Sequence, residues 1–200
     1  MIVADKVEIL CAEIAECRAC RDFLPGDPRP IVQLGATARI AIIGQAPGRL
    51  VHETGVPWND ASGERLREWT GLAPEVFYDP EVVALVPMGM CYPGRGPSAD
   101  LPPRPECAPL WHNRIMSCLT GINLTLLVGQ YSQNYYLPQA RRLSVTERVK
   151  AFDTLAPGIL ALPHPSWRST GWMQRNPWFA TGIVPGLQQR VAEALGVGKP

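Results

Sequence analysis

The chain has 200 residues, 46% apolar and 18% charged, with a formal net charge of +1. That balance excludes a disordered chain and a uniformly basic one, leaving room only for a local basic surface. No apolar run approaches the ~20 residues of a membrane span, and Met1 to Glu16 carries Asp, Lys and Glu with no signal-peptide core. A single soluble, cytoplasmic domain spanning residues 1–200 is the expectation. Its 21 prolines and 18 glycines predict many loops between short elements.

In chain order, Val7, Ile9, Leu10, Ile14 and Ala15 fall near helical spacing and predict a helix over 4–17 that delivers Cys17 and Cys20 at its end. Residues 25–30 are a Gly/Pro loop. The β-branched run 39–44 reads as a strand buried on both faces, followed by a long loop over 45–60. Asp60 or Ser62 can cap a helix to about Trp69, with Leu66 and Trp69 inward. A second strand is expected at 82–86, then a loop over 87–105. Helix 107–119 would turn Leu110, Ile115 and Leu119 to the core. A third strand over 124–128, helices at 131–137 and 145–153, a fourth strand over 158–162 and an amphipathic helix over 185–195 complete the chain. Strands alternating with helices predict a three-layer α/β/α sandwich around a four-stranded parallel sheet.

The unusual residues cluster where such a fold builds sites. Gln45, Cys91, Gln130 and His164 all come just after predicted strands. Gly44 and Gly48 frame Gln45-Ala46-Pro47 and suit close approach of a ligand or unusual backbone angles. An ordinary strand-to-loop turn would look the same. The six cysteines include a C-x2-C pair, Cys17 and Cys20, with Cys91 and Cys107 downstream. That pattern favours metal or redox chemistry over structural disulfides. Cys11 and Cys118 read as buried small residues. Among the basic residues, Arg141, Arg142, Arg148 and Lys150 read as a solvated face, while Arg168 and Arg175 lie near His164 in sequence.

Gly44-Gln45-Ala46-Pro47-Gly48 after one strand and His164-Pro165-Ser166 after the last resemble the two signature motifs of the uracil-DNA glycosylase superfamily. The four cysteines Cys17, Cys20, Cys91 and Cys107 make the chain look like the superfamily's iron–sulfur branch, family four. Thr54-Gly55-Val56-Pro57-Trp58 is similar to a further segment of it. The resemblance, running from about Cys17 to Phe179, implies a base-excision enzyme that hydrolyses the N-glycosidic bond of uracil flipped out of DNA, and one that works as a monomer. His164 would donate to the uracil O2, Gly44, Gln45 and Ala46 would hold the base, and Trp58 would stack on it. Ser166, Trp167 and Arg168 would enter the duplex and meet phosphate, with residues 176–179 packed beneath. The cysteines would ligate a [4Fe–4S] cluster, although a zinc site with four cysteine ligands would use the same residues. No lysine stands at a matched position to form a Schiff base, so no lyase step is expected.

The match departs at two positions. Family four has Glu where this chain has Gln45, and relatives carry an Asn that reads the uracil edge where this chain has Pro87. Asp60, just before Ala61-Ser62-Gly63, resembles the Asp of a sister branch and could position water or balance the sugar cation. A plain helix cap would use the same residue. His52 and Glu53 are the next candidates in that loop. Pro87 leaves open a glycosylase for hypoxanthine or xanthine. The two departures also leave open a non-catalytic module for damaged or single-stranded DNA, and a zinc-stapled nucleotide-binding domain would fit the cysteines.

Overall fold

The computed structural model describes residues 3–197. Four parallel strands, β1 (Ile40–Gly44), β2 (Val83–Pro87), β3 (Leu124–Val128) and β4 (Ile159–Leu162), form a sheet of order β2-β1-β3-β4. All are short apolar runs with almost no exposed residue, as expected of strands covered on both faces.

The two faces divide the side chains by the period of the strand. Ile40, Ile42, Leu85, Leu126 and Leu162 point to one side. There they meet Leu66 and Trp69 of α3 (Ala61–Thr70), Phe77 of α4 (Pro74–Phe77), Val149 of α7 (Val145–Ala151) and Leu187 and Val191 of α9 (Val184–Leu195). Ala41, Ile43, Ala84, Val86 and Leu127 point to the other, against Val7, Leu10 and Ile14 of α1 (Val3–Ala15) and Trp111 and Ile115 of α5 (Cys107–Cys118). The three-layer α/β/α architecture therefore stands. α6 (Gln130–Tyr136) follows β3, and α8 (Thr170–Arg175) precedes a single π turn, Phe179–Ile183, leading into α9. Outside β2, Gln33 exchanges backbone hydrogen bonds with Leu85, which covers an edge that would otherwise invite another strand.

Several expectations need correction. The stretch 45–60 is not all loop, because Arg49–Thr54 forms a short helix, α2, closed by Gly55 in the left-handed region at φ 76°. α1 ends at Ala15, so Cys17 and Cys20 sit in the turns beyond it. Leu110 is exposed; Ile115 and Leu119 are buried as expected, and Ala108, Trp111 and His112 turn inward as well. Ile9 is exposed too. Cys11 and Cys118 are only half-buried. Arg148 is no solvated side chain: it is 2% exposed and donates to the carbonyls of Ala140 and Arg141 and to Gln133 Oε1.

Candidate active site

β1 is the first strand in the chain but lies inside the sheet, with β2 on one side and β3 on the other. The chain thus changes direction between β1 and β3, and a crevice opens beyond the strand ends at such a switch point. A cavity of about 400 Å³ occupies this end, within the size of a small-molecule pocket. It is lined by Gly44, Gln45, Ala46, Pro47 and Gly48 after β1, Pro87 at the end of β2, and His164 and Ser166 after β4. Trp58 and Asp60 complete one wall, Trp167 and Arg168 another. Nearly every residue singled out for base binding thus meets in one place. Of the strand-end residues, Gln130 is exposed at the start of α6 and Cys91 lines a different depression, so both lie outside this cavity.

Gly44 is needed for its missing side chain, whereas a Cβ on Gly48 would meet nothing nearer than Asp100 Oδ2 at 3.6 Å. Neither has a positive φ. A Cβ on Gly44 would lie 2.7 Å from Cζ2 of Trp58, so glycine lets the indole lie against the strand end. Trp58 itself has φ 55°, a left-handed conformation that costs an L-residue about 1–2 kcal/mol. The Trp58 carbonyl accepts from Tyr78 Oη at 3.2 Å and Arg67 at 3.5 Å. Gly63 lets α3 crowd onto the same carbonyl, where a Cβ would meet the oxygen at 1.7 Å. Backbone strain over-determined by its surroundings in this way is typical of a ligand clamp. The indole faces His164 with ring centroids 6.0 Å apart.

His164 is half-buried, and desolvation lowers its pKa, with the Asp60 charge opposing. It is therefore a neutral imidazole at pH 7. The backbone N–H of Ser166 donates to its Nδ1 at 3.2 Å, which leaves the proton on Nε2. The result is a fixed, uncharged N–H donor at the cavity wall. Gly129, at φ 87°, lies against it, and a Cβ there would meet the His164 Cβ at 3.4 Å and the ring at 3.5 Å. Arg65 ties the following turn down by donating to the Pro165 and Ser166 carbonyls.

Asp60 serves two ends. Its Oδ1 accepts from the Gly63 N–H at 2.9 Å and caps α3, while its Oδ2 lies 3.9 Å from the point a Cβ on Gly48 would occupy. Cap and cavity carboxylate are one residue. His52 and Glu53 fall away as candidates: Glu53 pairs with Arg49 at 2.7 Å on the exposed side of α2, and His52 packs on Tyr92. Gln45 forms no side-chain hydrogen bond among the described residues, so its amide is free to read a ligand edge. Pro87 offers no side-chain donor, and its carbonyl is engaged by Nε2 of His112 at 3.1 Å.

Trp167 is 76% exposed at the mouth, with the Arg168 guanidinium 5.6 Å from its ring. Arg168 also donates to the Ser98 carbonyl, joining this turn to the loop over 92–101. That loop, with Arg95, Ser98 and Asp100, is part of the cavity wall and was not anticipated from the sequence. Residues 176–179 pack beneath as expected, with Phe179 buried on Trp69 and Trp172.

A second depression lies between α1, α5 and the loop after β2, lined by Cys17, Cys20, Cys91 and Cys107 together with Met90, Arg104 and Trp111. All four cysteines are unpaired. Burial, with further contributions from neighbouring cysteines, pushes Cys91 up to about 11 and Cys107 up to about 12. Two backbone amides donate to sulfur: Met90 to Cys107 at 3.4 Å, and Arg29 to Cys91. The indole N–H of Trp111, 6% exposed, has no protein acceptor. Among the described residues no three His, Cys, Asp or Glu side chains are arranged to grip a single metal ion.

No helix among the described residues is long and apolar enough to cross a membrane. Residues 32–188, which hold the whole sheet and all of the cavity lining except Ile31, match the family model described as the uracil DNA glycosylase superfamily.

Proposed function

The chain belongs to the uracil-DNA glycosylase superfamily, and from that footing we propose that it is a monofunctional DNA glycosylase that removes uracil flipped out of DNA. The observation carrying this reading is His164 at the cavity wall, its Nδ1 taken by the Ser166 N–H at 3.2 Å and its ring 6.0 Å from that of Trp58. A flipped base would stack on Trp58, a contact worth ~1–3 kcal/mol, with its edge against the free amide of Gln45. As the C1′–N1 bond breaks, the bonding pair moves onto the base. A preorganised neutral donor stabilises the resulting oxyanion without giving up its proton. Asp60 Oδ2 supplies negative charge for the sugar cation. Trp167 is exposed where a wedge would enter the stack left by the base, and Arg168 stands beside it for phosphate. No lysine lines the cavity among the described residues, in keeping with hydrolysis without a Schiff base.

We propose that Cys17, Cys20, Cys91 and Cys107 hold a [4Fe–4S] cluster. An all-cysteine donor set, amide N–H groups on the sulfurs and an orphaned indole N–H suit a multi-metal centre rich in sulfur acceptors. Such a group would take the cysteines as thiolates, offset part of their charge and pin the segment after α1 to α5. Iron and sulfide analysis of purified protein tests it, with zinc as the alternative result.

Base release from single- and double-stranded oligonucleotides carrying uracil, hypoxanthine or xanthine tests the activity. Uracil release is expected. Preferential release of hypoxanthine or xanthine would move the substrate to a deaminated purine, a reading favoured by Pro87, which presents neither donor nor free carbonyl. Release of none from any substrate overturns the enzyme.

A further inference from the structure

The first motif carries Gln45 where an acid would be expected, and the fold places a second carboxylate beside it from a loop that belongs to neither motif. Asp100 lines the cavity at the end of the 92–101 loop. Its Oδ1 accepts from the hydroxyl of buried Tyr92 at 3.5 Å. Its Oδ2 lies 3.6 Å from the point where a Cβ on Gly48 would stand, and Asp60 Oδ2 lies 3.9 Å from the same point. Each carboxylate thus has one oxygen committed to the protein, Asp60 to the α3 amide and Asp100 to Tyr92. The other oxygen of each overlooks the same small space above Gly48. The loop is braced to present it: Gly96 and Leu101 donate to the carbonyls of Ala99 and Gly94, and Arg168 holds the Ser98 carbonyl.

Ionised carboxylates only accept hydrogen bonds, so two of them over a bare glycine select a small donor. We propose that Asp100 is a catalytic residue that, with Asp60, holds the attacking water above Gly48 and takes its proton. This rests on the glycosylase reading. Heterolysis of C1′–N1 sends the bonding pair to the base and leaves an oxocarbenium ion at the sugar. The water oxygen then gives a pair to C1′, and its proton passes to the Asp100 carboxylate and on to solvent. The base anion takes a proton from solvent, so the products are the free base and an abasic hemiacetal. Asp100 therefore does the work of the acid that Gln45 replaces.

Single-turnover excision and DNA affinity, measured on the full chain with the preferred oligonucleotide, test this. Asp100→Asn keeps the acceptor for Tyr92 and should lower the excision rate roughly 100-fold or more while changing DNA affinity less than about twofold. Asp100→Glu should recover part of the rate. Gly48→Ala puts a methyl into the space with no heavy atom nearer than 3.6 Å, and it should cost a comparable factor without loss of thermal stability. An active wild type with Asp100→Asn or Gly48→Ala at its full rate overturns the role of Asp100 alone. Wild-type activity abolished by a chelator and restored by a divalent cation also overturns it, assigning the space to a metal ion. A wild type that releases no base overturns the glycosylase reading, and this role with it.

Discussion

At the scale of single residues, the proposed reaction uses His164 as a neutral donor. Its folded pKa lies below the ordinary ~6.5 through burial, with Asp60 opposing. Protonation would place a proton on Nδ1, against the Ser166 N–H that donates there. Excision should therefore be flat from pH 8 down to about 6.5 and fall only below it, and a His164 limb centred above 6.5 in the pH–rate profile contradicts the assignment. His164→Ala should cost about 10²–10³ in excision, the loss seen when one oxyanion donor is removed, with DNA binding retained in a gel-shift titration. Asp60→Asn separates its two duties. Asparagine caps helices as well as aspartate does, so melting temperature should hold while excision falls, and an unchanged rate leaves Asp60 a cap and nothing more.

At the scale of elements, the strands were legible because each is a short β-branched run bounded by turn residues. His164 and Gln45 were legible as the polar residues just beyond them. α2 was not, since Arg49–Thr54 is only six residues long, sits between glycines at 48 and 55, and has little apolar periodicity to read. The inward face of α5 was legible at Ile115 and Leu119 and misread only at Leu110, which stood out as the aliphatic residue where Trp111 and His112 turn inward instead. Asp100 carried no signal at all: it is one polar residue in a Gly/Pro-rich loop, and only tertiary structure sets it above Gly48. The junction of Trp58 with α3 shows what the Ser62-Gly63 pair is for. Gly63→Ala forces a methyl onto the Trp58 carbonyl and should destabilise by about 1–3 kcal/mol, the usual cost of overpacking. It should also raise KM for base-containing DNA more than Ser62→Ala does, because the strained Trp58 loses its seat.

At the scale of the whole molecule, the base cavity and the cysteine pocket are separate but share a strut. The Arg29 backbone N–H reaches the Cys91 sulfur, while its guanidinium donates to the carbonyls of His52 and Glu53 at the C-terminal end of α2. A cation there is favoured by the helix dipole, worth about 0.3–1 kcal/mol and up to ~2 when partly buried. The N-terminal end of α2 is Gly48, the floor beneath Asp60 and Asp100. Arg29→Ala removes the guanidinium and keeps the amide on sulfur. It should therefore leave metal content unchanged, lower the melting temperature by only a few degrees, at about 2–4 °C per kcal/mol for a domain this size, and slow excision as α2 frays. Cys91→Ser acts from the other end: it should reduce metal content and melting temperature first, and slow excision through the same helix. If Arg29→Ala left excision untouched while Cys91→Ser abolished it, the cysteine pocket would have to act on the base cavity by another route, the backbone of Ile31, whose N–H donates to the Met90 carbonyl and whose side chain lines the cavity.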